Sequence, residues 1–157
     1  MKWKPSQSAA ESARALLPKL AEQYFEAGRK AAAGYKKPKA LHRFRIATKR
    51  FRYTLELFRP VYGPSLDRRL KVLRGLQESL GKVSDYQTIR KLLSDGHALE
   101  SKLQKGIKKN SREFGRRWKA LDSNSQLKRW KAYLARTNSG SHARVAPRRK
   151  TGGRSSN

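Results

Sequence analysis

The sequence predicts an all-α fold, an antiparallel helical bundle of about four to six helices. Three observations carry that expectation. No stretch alternates apolar and polar residues with the period of a strand. Apolar residues instead recur at spacings of three and four, segment after segment. The breaks between segments fall at Gly, Pro and Ser, the residues that stop and cap helices.

The elements follow in order. Residues 1–7 read as loose. Ser8 to about Ala33 is rich in Ala, Glu, Leu and Lys, with Ala13, Leu16, Leu17, Leu20, Tyr24 and Phe25 near helical spacing. It reads as a first helix, bent or started near Pro18, and Gly34 to Pro38 breaks it. A second helix is expected from about Pro38, suited to a first turn, to Val61. Tyr62-Gly-Pro64 is a turn. Ser65 can cap a third helix, with Asp67 in its first turn, and Gly81 ends it. Ser84 or Asp85 caps a fourth, which stops near Gly96. A fifth spans about His97 to Leu121, weakened by Gly106 and Asn110. A short sixth runs from Ser125 to Ala135. The helical domain is therefore expected over residues 8–135. Residues 136–157 are dominated by Ser, Gly, Arg and Lys with no acid, and Val145 is the one large apolar residue. Such a segment cannot bury enough surface to offset its ordering entropy, so it reads as a disordered basic tail.

Charge narrows the function. There are 39 Lys and Arg against 11 acids, a net charge of +28. That excess repels itself and attracts polyanions: nucleic acid, inorganic polyphosphate or an anionic membrane surface. There is no cysteine, which excludes disulfides and thiolate metal sites. Met1-Lys-Trp-Lys-Pro is basic but no apolar run follows it, and no stretch approaches a membrane span. A soluble, cytoplasmic chain is expected.

The second helix concentrates the charge. In Leu41-His-Arg-Phe-Arg-Ile-Ala-Thr-Lys-Arg-Phe-Arg-Tyr-Thr-Leu-Glu-Leu-Phe58, residues turn by about 100° each. Phe44, Ala47, Phe51, Leu55 and Phe58 share one arc. His42, Arg45, Lys49, Arg52, Tyr53 and Glu56 share another, roughly opposite. Arg43 and Arg50 flank it. A solvated helix face usually mixes signs at i and i+4. This row repels itself until an anion arrives. Its cations stand about one turn apart, ~5 Å, comparable to the repeat of a phosphate chain.

That helix, taken with Leu73-Arg-Gly-Leu-Gln-Glu-Ser-Leu-Gly-Lys-Val-Ser-Asp85, resembles the CHAD family, the conserved-histidine α-helical domains. The family shows a His-x-x-Arg-(Val/Ile)-x-x-(Lys/Arg)-(Lys/Arg)-x-Arg helix, then Leu-x-x-Leu-Gln-x-x-Leu-Gly-x-x-x-Asp. The resemblance covers roughly residues 8–121, its specific motifs residues 41–85. It implies inorganic polyphosphate as ligand, bound without catalysis, and polyphosphate granules as a place of association. The family's domain has two helical halves around a basic channel. This chain has one His-x-x-Arg helix, and Lys49-Arg-Phe-Arg-Tyr-Thr-Leu-Glu56 resembles the second half. A homodimer that rebuilds the channel is the resulting expectation.

Matched to the motif, His42, Arg45, Lys49 and Arg52 are the candidate polyphosphate ligands, with Arg43 and Arg50 beside them. Arginine grips two phosphate oxygens with a planar fork and stays charged. Tyr53 either donates its hydroxyl to phosphate or to Glu56, or packs against a neighbouring helix. Lys71, Arg74 and Gln77 extend the basic wall onto the next helix, and Arg90 is a weaker addition. Glu56 is expected to orient Arg52 or Lys49, Asp85 to cap a helix, and Trp118 and Trp130 to fill the core. No catalytic residues, cofactor or metal site is expected: there is no triad, no paired carboxylates and no His-Glu-x-x-His. His97 and His142 match no motif.

The rival reading is a non-specific nucleic-acid binder, through the tail or through Lys105, Lys108, Lys109, Arg112, Arg116, Arg117 and Lys119. An enzyme acting on phosphate polymers would need a general base or metal that the sequence does not supply. A membrane-surface helix competes for apolar faces the core needs.

Overall fold

The computed structural model describes residues 8–92, 97–123 and 125–136. All regular structure among them is helical. The elements are α1 (Ala9–Ala33), α2 (Pro38–Leu57), α3 (Arg59–Tyr62), a 3-10 turn (Gly63–Leu66), α4 (Asp67–Leu92), α5 (His97–Leu121) and α6 (Gln126–Leu134). The expected loose segment 1–7, the end of the fourth helix near Gly96, and His142 with the rest of 137–157 lie outside the described residues.

Local chemistry explains most ends. Ser8 accepts from the backbone N–H of Glu11 at 3.2 Å, and Glu11 accepts from the Ser8 backbone at 2.9 Å, which closes a capping box on α1. Pro18 lies inside α1, which continues past it as helix. The ring removes one backbone bond, and the buried face of Ala13, Leu17, Ala21, Tyr24, Phe25 and Ala31 carries the helix through.

Four expectations need correction. The second helix ends at Leu57, not Val61: Phe58 leaves helical geometry at φ −93°, ψ 9°, two residues before Pro60, and α3 is a separate turn. Ser65 caps nothing. Its hydroxyl donates to the Tyr62 carbonyl at 3.0 Å and shares a hydrogen bond with the Tyr133 hydroxyl at 2.7 Å. The third and fourth helices are one helix, α4, that runs through Gly81. Ser84 and Asp85 are accordingly interior positions, not caps. A mid-helix glycine costs about 0.5–1 kcal/mol, less than α4 recovers by packing α2 on one side and α5 on the other.

The core is aromatic. Tyr24 of α1 stacks on Phe44 and Phe51 of α2, with ring centroids 5.2 and 4.6 Å apart. Trp118 of α5 meets Phe44 edge-on at 5.2 Å, and Trp130 of α6 lies 5.9 Å from both Phe25 and Phe51. Both tryptophans are buried, as expected for core residues. Gly28 permits this: a Cβ there would come within 1.9 Å of the Trp118 ring. The buried Thr48 hydroxyl donates to the Phe44 carbonyl at 2.9 Å and lies 3.3 Å from the Tyr24 hydroxyl. Burial pushes the Tyr24 phenol well above its usual range, against the opposing Thr48 bond. Arg29 clamps Asp122 with three contacts of 2.9–3.1 Å, fixing the α5 end against α1.

A cationic groove between α2 and α4 as candidate functional site

α2 is held on one side by α1 and on the other by α4. Its buried residues are Leu41, Phe44, Thr48, Phe51 and Leu55. With about 100° per residue, that arc turns Arg45, Arg52 and Glu56 toward α4, where they are half-buried. His42, Lys49 and Tyr53 lie further round and are exposed. The row read as one face opposite the core is therefore divided. One half lines the α2–α4 contact and the other half borders it.

The end nearer the α2 C-terminus is wired. Arg52 donates from Nε to Gln77 Oε1 at 2.9 Å and from a terminal nitrogen to Glu56 Oε1 at 2.6 Å. Arg74 reaches the same Glu56 oxygen at 3.3 Å. Glu56 thus orients Arg52, as anticipated, and takes Arg74 as well. The Tyr53 ring carries the Arg52 guanidinium 4.3 Å from its centroid and the Lys49 ammonium at 5.6 Å. Tyr53 therefore works as a platform that gathers two cations, rather than by packing into a neighbouring helix.

The other end is open. The Arg45 Nε is shielded from solvent and has no hydrogen-bond partner among the described residues. It faces Gly81, where a Cβ would stand 3.9 Å away. One turn toward the N-terminus, His42 and Arg43 line a cleft of about 510 Å³ with Pro38, Lys39, Ser84, Gln87, Thr88, Arg90 and Lys91. Among the described residues no carboxylate lies within ion-pair distance of His42, Arg43, Arg45 or Lys49. Arg90 is held by Glu100 at 3.1 Å.

Of the expected ligands, the fold brings His42, Arg45, Lys49, Arg52, Tyr53, Arg74 and Gln77 to one groove, while Arg43, turned about 160° from Arg45 around α2, reaches only the cleft beside His42. Arg50 is exposed and turned about 140° from Arg45 around α2. Lys71 is exposed on α4 and joins none of these contacts. Ser84, Gln87 and Thr88 are additions that sequence reasoning missed. Their signal is the spacing Gln77, Gly81, Ser84, Thr88, which is one helical stripe once α4 is allowed to run through Gly81.

The groove offers cations, neutral donors and one engaged acid. Among the described residues no group of three or more His, Cys, Asp or Glu could hold a metal ion. No helix of the described residues is long and apolar enough to cross a membrane.

Comparison with known proteins agrees with the motifs. The CHAD domain family matches residues 2–94, more than half of the chain, from the segment before α1 through α4. Both the His42 helix and the Leu73–Asp85 motif fall inside that match, and α5 and α6 fall outside it. No curated protein and no solved structure matches the chain. With its two motifs on the facing walls of one groove and more than half its length matched, the chain belongs to the CHAD domain family.

Proposed function

We propose that the α2–α4 groove binds inorganic polyphosphate electrostatically and without catalysis. Membership in a family linked to polyphosphate supports this reading. One observation carries it in this chain: the shielded, unpartnered Arg45 Nε, one helical turn from His42 on one side and Lys49 on the other, with no carboxylate among the described residues within ion-pair distance of any of the three. A buried unsatisfied donor costs roughly 1–3 kcal/mol. A phosphate oxygen removes that cost and answers the Lys49 charge one turn away as well. Ser84 and Gln87 supply neutral donors on the opposite wall, while the Thr88 hydroxyl is spent on the Ser84 carbonyl at 3.0 Å.

The nucleic-acid alternative has its own observation. Lys105, Lys108, Lys109, Arg112 and Arg116 line a basic cleft on α5, with Glu113 beside them. It lacks a base-stacking platform, since Phe114 and Trp118 of α5 are buried. The test is competition at near-physiological salt between polyphosphate, duplex DNA and RNA at matched phosphate concentration. Polyphosphate retained against excess nucleic acid is expected. Ready displacement overturns the reading.

A second wall from another copy belongs to the same proposal. Ile46, Tyr53 and Leu57 are exposed in a row beside the cations, Leu57 at 75%. A two-fold pairing along that row would cover them and enclose a phosphate chain between two cationic helices. Sedimentation should show a dimer with polyphosphate present. A monomer throughout removes the second wall and leaves the groove. The basic segment 136–157 is proposed to add non-specific attraction for the same polyanion.

A further inference from the structure

A second cluster of cations lies where α4 begins and α6 ends. Arg68, Arg69, Arg129 and Arg136 line a cleft of about 670 Å³ with Pro64, Ser65, Ala132 and Tyr133. No carboxylate is among the lining residues. The nearest acid in sequence, Asp67, is already held by Arg59 through two bonds of 2.9 and 3.0 Å. α6 itself carries no acid.

Arg69 is the centre of the cluster. Its guanidinium lies over the Tyr133 ring, 3.5 Å from the centroid, and 5.6 Å from the Trp130 ring. Its Nε is shielded from solvent with no hydrogen-bond partner among the described residues. Burial pulls its pKa below the ordinary arginine range; Tyr133 opposes that pull and Arg136 adds to it. The cation is thus poorly solvated, seated on an aromatic face, and accompanied by three further guanidinium groups.

The cleft is also held in shape. The Tyr133 hydroxyl shares a 2.7 Å bond with Ser65, and Tyr62 donates to the Leu134 carbonyl at 2.6 Å. The Arg14 Nε donates to the Arg136 carbonyl at 3.0 Å. These contacts tie α6 and the residue after it to α1, to α3 and to the 3-10 turn that leads into α4. They position the arginines without neutralising any of them.

We propose that this α4–α6 cleft is a second anion site, one that takes a short polyphosphate chain independently of the α2–α4 groove. Four guanidinium groups around one concave surface suit a compact, multiply charged phosphate better than a single carboxylate. Nucleotide bases have no place to stack. Tyr133 and Trp130 are buried, and the Tyr133 face is covered by Arg69. The cleft shares no residue with the groove and reaches onto α6, beyond the stretch matched by the family.

The test uses tripolyphosphate as probe and the arginine Nε–H signals in nitrogen-15 NMR as readout. In the full chain carrying Arg45→Glu and Lys49→Glu, tripolyphosphate should still shift the Arg69 Nε–H signal saturably. Adding Arg68→Gln and Arg129→Gln should weaken that response at least about tenfold with unchanged far-ultraviolet circular dichroism. A static Arg69 signal, or equal affinity with and without Arg68 and Arg129, overturns the proposal. So does a short single-stranded oligonucleotide that shifts Arg69 as strongly at matched phosphate. The groove is read separately, on the Arg45 Nε–H of the unmutated chain, so either site can fail alone.

Discussion

Arg45 and Arg52 stand seven residues apart on the same edge of α2, about two turns. Their circumstances differ completely. Arg52 is satisfied within the protein: Gln77 takes its Nε at 2.9 Å and Glu56 a terminal nitrogen at 2.6 Å. Arg45 faces Gly81, and its Nε has no partner among the described residues. The difference lies on the α4 wall. Where α4 presents Gln77 and Arg74, α2 answers with Glu56, and the charges close on themselves. Where α4 presents Gly81, Ser84 and Thr88, no carboxylate among the described residues comes within ion-pair distance of the α2 cations there. An arginine already bound to a carboxylate must give up that bond to take phosphate. One with an idle donor gives up nothing. On the proposed function, the open end binds the ligand and the wired end holds α2 against α4.

The largest expected effect tests that division. Arg45→Glu combined with Lys49→Glu reverses two charges at the open end. A charge-assisted hydrogen bond to phosphate is worth roughly 1.5–3 kcal/mol, so removing two should lower polyphosphate affinity at least about a hundredfold. The helical circular dichroism should persist, since neither residue belongs to the core of α2. Affinity measured by titration and retained within tenfold would move the main ligand site to the wired end, to the α4–α6 cleft, to α5 or to the tail.

A smaller effect of opposite sign comes from the wired end. Glu56→Gln removes the carboxylate that occupies Arg52 and Arg74. Both arginines then become available to phosphate. Polyphosphate should bind several-fold more tightly, with a salt dependence steeper by roughly one unit per cation freed. Stability should drop by under ~1 kcal/mol in urea melts, because these pairs are partly exposed and screened. Weaker binding in this variant would show that Glu56 positions Arg52 for the ligand, and the contrast between the two ends would collapse.

The α2 wall was legible in the sequence and the α4 wall was only half so, for a physical reason. On α2 the apolar arc from Phe44 to Leu55 fixes which way the helix rolls, and every cation's direction follows from it. The ends of α5 and α6 were also readable, from periodicity and the turn residues around them. On α4 the stop assigned to Gly81 cut the stripe short. Gln77 and Arg74 lie before it and were read as part of the wall, whereas Ser84, Gln87 and Thr88 lie after it and were not. Propensity predicted a break that packing on both flanks overrides. Lys71 shared a helix face with Arg74 in the sequence, yet it joins no contact of the groove, because only part of that face turns toward α2. The Arg69 cluster was hidden for another reason. Its arginines come from α4 and α6, about sixty residues apart, and only the fold brings them together.

Gly81 itself offers the finest test, with the smallest expected change. A Cβ at this position would stand 3.9 Å from the Arg45 Nε, an ordinary contact that displaces nothing. Gly81→Ala should therefore stabilise α4 by about 0.5–1 kcal/mol, measured by thermal or urea unfolding. Polyphosphate affinity should stay within about threefold. The added methyl narrows the groove floor and meets the Arg45 donor only in ordinary contact, so this outcome would place the ligand on the side chains of Arg45, Lys49 and His42, above the α4 backbone. A loss beyond tenfold, with the stability gain still present, would mean that the phosphate chain lies against α4 at the glycine. The gap opposite Arg45 would then be the ligand's seat, and the bare backbone at Gly81 would belong to the site as much as the cation facing it.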